Sequence, residues 1–562
     1  MPNRELEQLG TEYWDGYLEQ HPTQGTALGE HQYDDRLNDI TPAGQERALR
    51  RLRDLQQRLG GLATDSLTDE EQLSVSALRH LLRAEVAFLN ADATAYTVDA
   101  MSGPQVSFLD IASYQPLRDP TDAATMLTRW RAMGPWIDDF ITNLRRGLGE
   151  GLSSIAVSVE RVSAELDALL ARPVENWPLL DPLQQVHESW SHSEWRTFGD
   201  ELTASVREVV QPAFVRYRAF LRDEALPAAR DEARAGICHL PGGLERYRSL
   251  VPAHTTVDAT PEELHHLGLN EVERIDTEMA ELGARVLATA DLKATQEALR
   301  GDPKLYFSTR DEIQQVAERS LAAANAAIPD WFGRLPQTPC EVAHMLPHEE
   351  EHSTIAYYRE PAIGERPGRY YVNTSAPQTR PRYEAEALAF HEAVPGHHLQ
   401  VAIGQELTGL PTFRRHADVT AFIEGWGLYS ERLANEMGLY SSDLDRIGML
   451  SYDAWRACRL VVDTGLHALG WSRSRAITFM TDHSALAINN ITNEVDRYLG
   501  WPGQALAYKV GQLQIRRLRT DAEAALGQRF DIRTFHDALL GHGPLPLATM
   551  REAVSRDMQL SL

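Results

Sequence analysis

The chain has 562 residues, of which 43% are hydrophobic and 24% charged. This composition is typical of a globular protein with a large core, and it excludes collagen, coiled-coil rods and disordered chains. The formal net charge of −26 provides no general attraction for nucleic acid or for an anionic membrane, so neither is expected as a partner.

Most of the chain has the periodicity of amphipathic helices. Asp119 with Pro120, and Thr260 with Pro261 and Glu263, are typical helix starts. Short apolar or aromatic runs at 340–346, 353–358 and 368–373 are separated by charged or Gly/Pro turns and predict a small antiparallel sheet. We therefore expect a mainly α fold with one small sheet. The helical pattern covers residues 41–93, 120–150, 152–171, 193–233, 309–327, 381–408, 417–437, 441–468, 473–485, 493–527 and 533–541.

The helical pattern is weakest between residues 235 and 260, where Gly and Pro recur. We expect a division there into an all-helical N-terminal lobe, 1–235, and a C-terminal lobe, 236–562, which carries the chemistry. Because no long linker separates them, they could also be two lobes of one domain.

The three cysteines, Cys238, Cys340 and Cys458, form no CxxC pair. This excludes a cysteine-based zinc module and argues against a disulfide framework. No apolar signal region follows Met1, and no run of about 18 apolar residues occurs. The sequence therefore predicts a cytoplasmic protein.

One histidine cluster stands apart from the other histidines. His391 and Glu392 form the beginning of an HExxH-type zinc helix, in which two histidines one turn apart bind zinc and the glutamate acts as general base. The spacing departs from that pattern, because Pro395 occupies the position of the second ligand. On an unbroken helix, neither His397 nor His398 could readily share a metal with His391. Pro395 and Gly396 interrupt a regular helix, so we expect a break there that turns His397 back towards His391.

A third ligand is expected on a helix that starts after Asp418 or Thr420. Glu424 lies there among apolar residues and is followed by Gly425 and Gly427, which would allow a close helix approach. Two histidines and a glutamate with one open position form the ligand set of a catalytic zinc site. Glu431, two turns further on, is an alternative ligand or a partner of a ligand histidine.

These motifs resemble the domain of unknown function 885 family, which is grouped with zinc metallopeptidases of the gluzincin type. The resemblance spans nearly the whole chain and favours His397 over His398. It implies a helical fold with a central cleft, similar to that of the helical zincin carboxypeptidases and oligopeptidases. The segments that carry it are 368–374, 391–400, 424–429, 463–471 and 497–508.

The family-like segments also suggest residues that act on the substrate. A peptidase needs a donor for the oxyanion of the tetrahedral intermediate, and His467, Tyr498 and Tyr508 are candidates. An arginine is the geometric match for a substrate carboxylate. The candidates for that role are Arg380, Arg382 and Arg497. The segment that contains Tyr370, Tyr371 and Asn373 is expected to bind an extended peptide by strand addition.

Three hypotheses follow. The first is a peptidase for short peptides with one Zn²⁺ held by His391, His397 and Glu424, in which Glu392 takes the proton from water. The second is a non-haem iron oxygenase, which uses the same ligand types but gives Glu392 no role. The third is a catalytically silent scaffold stabilised by metal. The oligomeric state is open.

Overall fold

The computed structural model describes residues 3–185, 190–346, 350 and 354–560. Within these residues the fold is mainly α-helical with one small sheet, as predicted. The chain forms two compact units. The larger unit comprises Met1–Thr11, Leu55–Ala91 and Gly236–Leu562, and the smaller unit comprises Glu12–Asp54 and Asp92–Ala235.

One boundary between the units falls between Ala235 and Gly236, where the sequence suggests a division. Residues 1–11 and 55–91, which the prediction placed in the N-terminal lobe, belong to the larger unit. Helix α4 (Asp69–Ala91) packs along α11 (Gly243–Thr255). The hydroxyls of Ser76 and Thr549 lie 2.5 Å apart, so the same helix is also joined to the C-terminal part of the chain.

The smaller unit is built around the 30-residue helix α6, which begins after Asp119 as predicted. The Asp119 carboxylate accepts the backbone N–H groups of Thr121 and Asp122 and so caps the helix. Two further helices, α1 (Arg4–Gln20) and α3 (Pro42–Gly60), contribute residues to both units. The remaining helices lie wholly within the smaller unit: α2 (Pro22–Leu28), α5 (Pro104–Ile111), α6 (Pro120–Gly149), α7 (Ala156–Ala171), α8 (His192–Ser205), α9 (Gln211–Phe220) and α10 (Leu226–Ala228).

The larger unit contains most of the helices. The predicted start at Thr260 is confirmed: its side chain accepts the Glu263 N–H while Glu263 reaches back to it. The helices after α11 are α12 (Pro261–Leu287), α13 (Leu292–Gly301), α14 (Arg310–Ala327), α15 (Ala385–Glu392), α16 (His397–Glu406), α17 (Thr412–Arg415), α18 (Thr420–Glu436), α19 (Asp443–His467), α20 (Arg473–His483), α21 (Ile488–Gly500), α22 (Ala507–Leu526), α23 (Ile532–Leu540) and α24 (Leu547–Asp557).

Helix α19 lies at the centre of the larger unit. Every residue from Ile447 to His467 is buried, including those with charged side chains. The helix packs extensively along α12, and α18 packs in the same way against α22. Of the residues described below, Glu424 and Glu431 lie on α18, Arg456 on α19 and Tyr508 on α22.

The sheet contains β1 (Cys340–His344), β2 (Ala356–Arg359) and β3 (Gly368–Val372) in the order β1-β3-β2. Strand β2 is antiparallel to β3 as predicted, but β1 is parallel to it. The sheet is therefore mixed, because the long connection between β1 and β3 allows the chain to return in the same direction. Ser353, the first residue of the second predicted strand, lies outside the described residues.

In the described part of the chain, no helix is both long enough and apolar enough to cross a membrane.

Candidate metal centre

The three predicted ligands converge. One ligand atom from each of His391, His397 and Glu424 lies within 4.8 Å of the others. Oε2 of Glu424 is 3.7 Å from Nε2 of His391 and 3.4 Å from Nε2 of His397. Tetrahedral zinc with bonds of about 2.0–2.2 Å would place its ligand atoms about 3.3–3.6 Å apart. The three residues therefore have close to the spacing that a tetrahedral metal requires.

The predicted helix break brings the histidines together. Helix α15 ends at Glu392 and α16 begins at His397, so residues 393–396 are not helical. The His391 and His397 rings have centroids 4.7 Å apart and are nearly perpendicular. The Trp426 indole donates hydrogen bonds to the carbonyls of Pro395 and Gly396, which fixes the break against α18.

Glycines allow the close contacts around this break. A Cβ at Gly396 would lie 1.9 Å from the His391 carbonyl oxygen. A Cβ at Gly427 would lie 2.8–3.0 Å from imidazole atoms of both ligand histidines. Gly425 faces Gly511, where α18 and α22 cross. The expectation that Gly425 and Gly427 permit close approach is thus confirmed, and Gly427 makes room for the ligands themselves.

Glu431 is positioned as the partner of a ligand. Its Oε1 is 2.8 Å from Nδ1 of His391, and because a carboxylate only accepts, the imidazole N–H donates. This bond leaves the Nε2 lone pair of His391 directed towards the ligand cluster, as in carboxylate–histidine–metal arrangements. Burial lowers the pKa of His391, but the neighbouring carboxylates of Glu424 and Glu431 raise it to about 9. Burial raises the pKa of Glu424, yet the two histidines hold it well below its usual range.

The donor set fits a divalent cation. Oε2 of Glu424 is buried and has no hydrogen-bond partner among the described residues, so a positive charge there would satisfy it. The Glu424 side chain is 17% exposed and that of His397 10% exposed, whereas that of His391 is 2% exposed. The cluster is therefore least buried on the side of His397 and Glu424. Two nitrogens and one carboxylate are a ligand set that suits zinc.

His398 has a structural role, which supports the choice of His397. Its Nε2–H donates to the carbonyl of Thr338 at 3.0 Å, and its Nδ1 accepts from the Tyr358 hydroxyl at 3.1 Å. Both ring nitrogens are therefore occupied by protein partners, and burial lowers the pKa of His398 to about 4.

Glu392 follows His391 at the end of α15 and is partly exposed. Its charge acts on Tyr370 of β3: burial, and secondarily Glu392, raise the pKa of that phenol well above its usual value. The Glu392 carboxylate is therefore close enough to β3 to act on Tyr370.

Of the three predicted oxyanion donors, Tyr508 lies at the cluster. Its ring is stacked on His391 with centroids 6.2 Å apart. Its hydroxyl oxygen accepts a hydrogen bond from Arg497 at 3.2 Å, so its own proton is available for donation.

The other two predicted donors have structural roles. The Tyr498 hydroxyl accepts from Trp455 and Arg459, each at 2.9 Å. His467 accepts the Ile237 N–H at Nδ1 and donates from Nε2 to the Tyr498 carbonyl. It also lies three turns, or about 16 Å, along α19 from the part of that helix that approaches Glu431. The prediction of His467 as a catalytic residue is therefore wrong, because its ring is fully engaged elsewhere.

The predicted carboxylate-binding arginines are mostly paired within the protein. Arg382 donates to the Tyr306 carbonyl and to Glu312, so it ties the start of α14 to the chain before α15. Arg497 donates to Gln504 and Tyr508 and lies 3.6 Å from Glu494. Arg380 donates to the Ser375 carbonyl, and burial lowers its pKa.

Strand β3 cannot bind a peptide by strand addition. Residues 368–372 pair with β1 on one side and with β2 on the other, so the backbone has no free edge. Tyr370 is buried, Tyr371 stacks on Tyr357, and the Asn373 amide donates to the carbonyls of Glu350 and Thr354. These side chains hold the sheet together, which corrects the expectation that they bind substrate in this way.

Sequence reasoning missed Arg456 on α19. Its Nη2 lies 3.7 Å from Oε1 of Glu431, the carboxylate that orients His391. Asp453, Arg456 and Arg459 recur every three residues within an apolar segment. This spacing places charges on one face of a buried helix, and it is the signal that could have revealed them.

Comparison with known proteins gives the family but no activity. A crystal structure of a “putative lipoprotein” from Colwellia psychrerythraea is similar over 99% of both chains, with 26% identity and a TM-score of 0.91. A “putative lipoprotein of unknown function” from Shewanella oneidensis has 18% identity and a TM-score of 0.69, over 97% of this chain and 99% of the other, and it shows the fold alone. No curated protein matches the chain. The family model of a bacterial protein of unknown function, DUF885, matches residues 22–554, so this chain belongs to the DUF885 family.

Proposed function

We propose that this protein is a zinc-dependent peptidase of the gluzincin type that hydrolyses short peptides. The observation that carries the proposal is the convergence of His391, His397 and Glu424, with Glu392 directly after the first of them. When bound, zinc supplies a Lewis acid and lowers the pKa of water towards about 7.

The chain's own residues would move the proton and hold the substrate. Glu392 takes the proton of the attacking water and passes it to the leaving amine. Tyr508 donates its hydroxyl proton to the oxyanion, since Arg497 already occupies one lone pair of its oxygen. Glu431 keeps His391 in the tautomer that presents Nε2 to the metal.

The proposal is tested by metal analysis and by a peptide-mixture assay read by mass spectrometry. Protein purified without added metal is expected to carry about one zinc per chain. Iron in its place, with oxygen uptake, would indicate the oxygenase. Bound metal without cleavage of any peptide would indicate the silent scaffold.

Two substitutions separate metal binding from proton transfer. Glu392→Gln keeps the size of the side chain but removes the base, so zinc content persists while the rate falls about 10²–10⁴-fold, or roughly 3–5 kcal/mol in the barrier. His391→Ala is expected to lose both zinc and activity. Glu386→Gln on the same helix is the control, because among the described residues its carboxylate accepts hydrogen bonds from Ser441 alone. A Glu392→Gln protein with full zinc content and near-native peptidase activity would remove this mechanism.

The compartment is a separate part of the proposal. We retain the cytoplasm, although the two structural relatives are named as lipoproteins. Fractionation of the producing cells distinguishes a cytoplasmic from a membrane-attached protein.

A further inference from the structure

The larger unit contains a cavity that is separate from the candidate metal centre. It has a volume of about 550 Å³ and is lined by residues of α12, of α20 and of the segment just before α20. Leu269, Trp471 and Phe479 form its apolar walls, and Leu269 is 37% exposed, so the cavity is open to solvent. A cavity of this size with aromatic walls and a few polar groups is typical of a site for a small molecule. None of the residues that line it belongs to the metal centre.

Arg475 is held in place at one end of the cavity. Its Cζ lies 3.9 Å from the centre of the Trp471 ring, so the guanidinium is stacked on the indole. Trp471 is 6% exposed and contacts the edge of the His265 ring, with centroids 5.4 Å apart. A guanidinium that stacks through its face keeps its in-plane N–H groups available for a carboxylate. Within the described part of the chain, no carboxylate forms an ion pair with Arg475.

Asp482 places a carboxylate at the other end of the cavity. Seven residues turn a helix by about 700°, so Arg475 and Asp482 share one face of α20, with their Cα atoms about 10.5 Å apart along its axis. Helix α13 fixes this end of α20, because Gln296 donates to the Asp482 carbonyl and Arg300 to the Thr481 carbonyl. The Asp482 carboxylate itself has no ion pair or hydrogen bond with the residues that the structure describes.

The remaining titratable group of the lining, His265, is neutral. Its Nδ1 is 2.8 Å from the Thr464 hydroxyl oxygen, which gives its own proton to the Leu460 carbonyl, so the imidazole N–H donates to that oxygen. Burial lowers the pKa of His265. The lining therefore carries one positive and one negative charge at opposite ends. This arrangement is complementary to a ligand that carries both signs.

We propose that this cavity binds a short zwitterionic peptide of three or four residues. Its C-terminal carboxylate contacts Arg475, its N-terminal ammonium contacts Asp482, and an apolar side chain lies between Leu269 and Phe479. Three extended residues span about 10 Å, which matches the spacing of the two charges. Because the cavity shares no residue with the metal centre, binding requires neither zinc nor the proposed peptidase activity. The two sites take the same chemical class of molecule.

Isothermal titration calorimetry of the full chain with alanyl-leucyl-alanine tests the site. The protein is first treated with a chelator, so that the peptide is not cut during the titration. We expect saturable binding of one peptide per chain. Acetylation of the N-terminus and amidation of the C-terminus should each weaken binding about tenfold, because each removes one charge-assisted contact at a partly exposed site.

Two substitutions assign each terminus to its partner. Arg475→Gln should lower the affinity for the free peptide about tenfold and leave the affinity for the amide unchanged. Asp482→Asn should lower the affinity for the free peptide to the same extent and leave that for the acetylated peptide unchanged. Arg285→Gln on α12 is the control, because Arg285 is 61% exposed and lies outside the lining, and it should bind the peptide like the wild type.

The alternative outcomes separate this site from the metal centre. Absence of saturable binding, equal affinity for free and blocked peptides, or undiminished binding by both variants would overturn the proposal. Binding that appears only after zinc is restored, and that is lost in His391→Ala, would place the peptide at the metal centre and would also overturn it. No step of the experiment depends on cleavage, so failure of this proposal leaves the peptidase proposal standing, and the reverse also holds.

Discussion

The long central helices of the two units bury different numbers of charged side chains. In the smaller unit, α6 buries Trp130, Met133 and Ile137 in an extensive apolar cluster, and Arg129 is its one buried charged residue. In the larger unit, α19 buries Asp453 and Arg456 among its apolar residues. Buried charges stabilise a fold less well than packed apolar groups and are costly when unpaired. Their concentration on the helix beside the candidate metal centre is a feature that apolar packing alone does not explain.

The ion network around Asp453 provides the strongest test of this comparison. Lys509 is fully buried and pairs with Asp453, which also accepts from Arg432 at 2.6 Å. Arg432 in turn bonds to Glu278 of α12, so the network joins α12, α18, α19 and α22. Lys509→Met leaves buried carboxylate charge partly uncompensated, and we expect the free energy of unfolding of the larger unit to fall by about 3–5 kcal/mol. Denaturant unfolding followed by fluorescence measures it.

The control for this prediction is Lys293→Met, because the Lys293 side chain is 84% exposed and its surface pair with Glu297 is long, at 3.9 Å. It should change stability by less than about 0.5 kcal/mol. Equal effects of the two lysine substitutions would show that the buried network adds nothing to stability.

Gly427 tests how closely the site depends on packing between α18 and the ligand histidines. In Gly427→Ala the new methyl group would lie 2.8–3.0 Å from both imidazoles, so at least one must move. We expect zinc affinity to fall about 10–100-fold, or about 1.4–2.8 kcal/mol, as for other changes that displace ligands indirectly. Competition with a chelator of known affinity measures the change.

Gly404→Ala on α16 is the matched control, since its nearest neighbour would be at 3.7 Å, an ordinary contact. Its zinc affinity should be that of the wild type. Unchanged zinc binding in Gly427→Ala would mean that the helices separate easily at this crossing.

Glu165 tests the same comparison in the smaller unit, where it is an acid in largely apolar surroundings. Burial raises its pKa to about 8, against a hydrogen bond from Gln105 that lowers it. Between its unfolded pKa, about 4.3, and about 8, the folded state holds a proton that the unfolded state has released, so stability falls as pH rises through this window. We expect Glu165→Gln to remove this loss. Between pH 5 and pH 8, the stability of the variant should rise by about 1 kcal/mol relative to that of the wild type, a value reduced for the partial exposure of Glu165.

Hydrogen exchange of the α7 amides, with rates corrected for the pH dependence of intrinsic exchange, measures this difference in stability. Glu160→Gln, exposed on the same helix, is expected to follow the wild type at both pH values. Parallel pH dependence of Glu165→Gln and the wild type would contradict the prediction.

How far the sequence predicts this molecule depends on whether the signal is local. His391, Glu392 and His397 lie within seven residues, and Pro395 with Gly396 indicates the break between them, so the two histidines of the cluster are predictable from a short segment. The role of His467 is not, because its partners Ile237 and Tyr498 are 230 and 31 residues away. The parallel pairing of β1 with β3 and the membership of α4 in the larger unit likewise depend on contacts between distant segments, which periodicity does not encode.

The larger unit is assembled from three separate stretches of chain, and this has a consequence for its synthesis. Helix α4 leaves the ribosome early, but its partners in α11 and α24 follow more than 150 and 450 residues later. At about 5–20 residues per second, the apolar face of α4 waits on the order of tens of seconds for the last of them. The smaller unit, by contrast, is complete once residue 235 has emerged. Nascent chains that have not yet exposed α24 should therefore carry a folded smaller unit and an α4 that still lacks part of its contacts, and they are the species in which chaperone binding should be strongest.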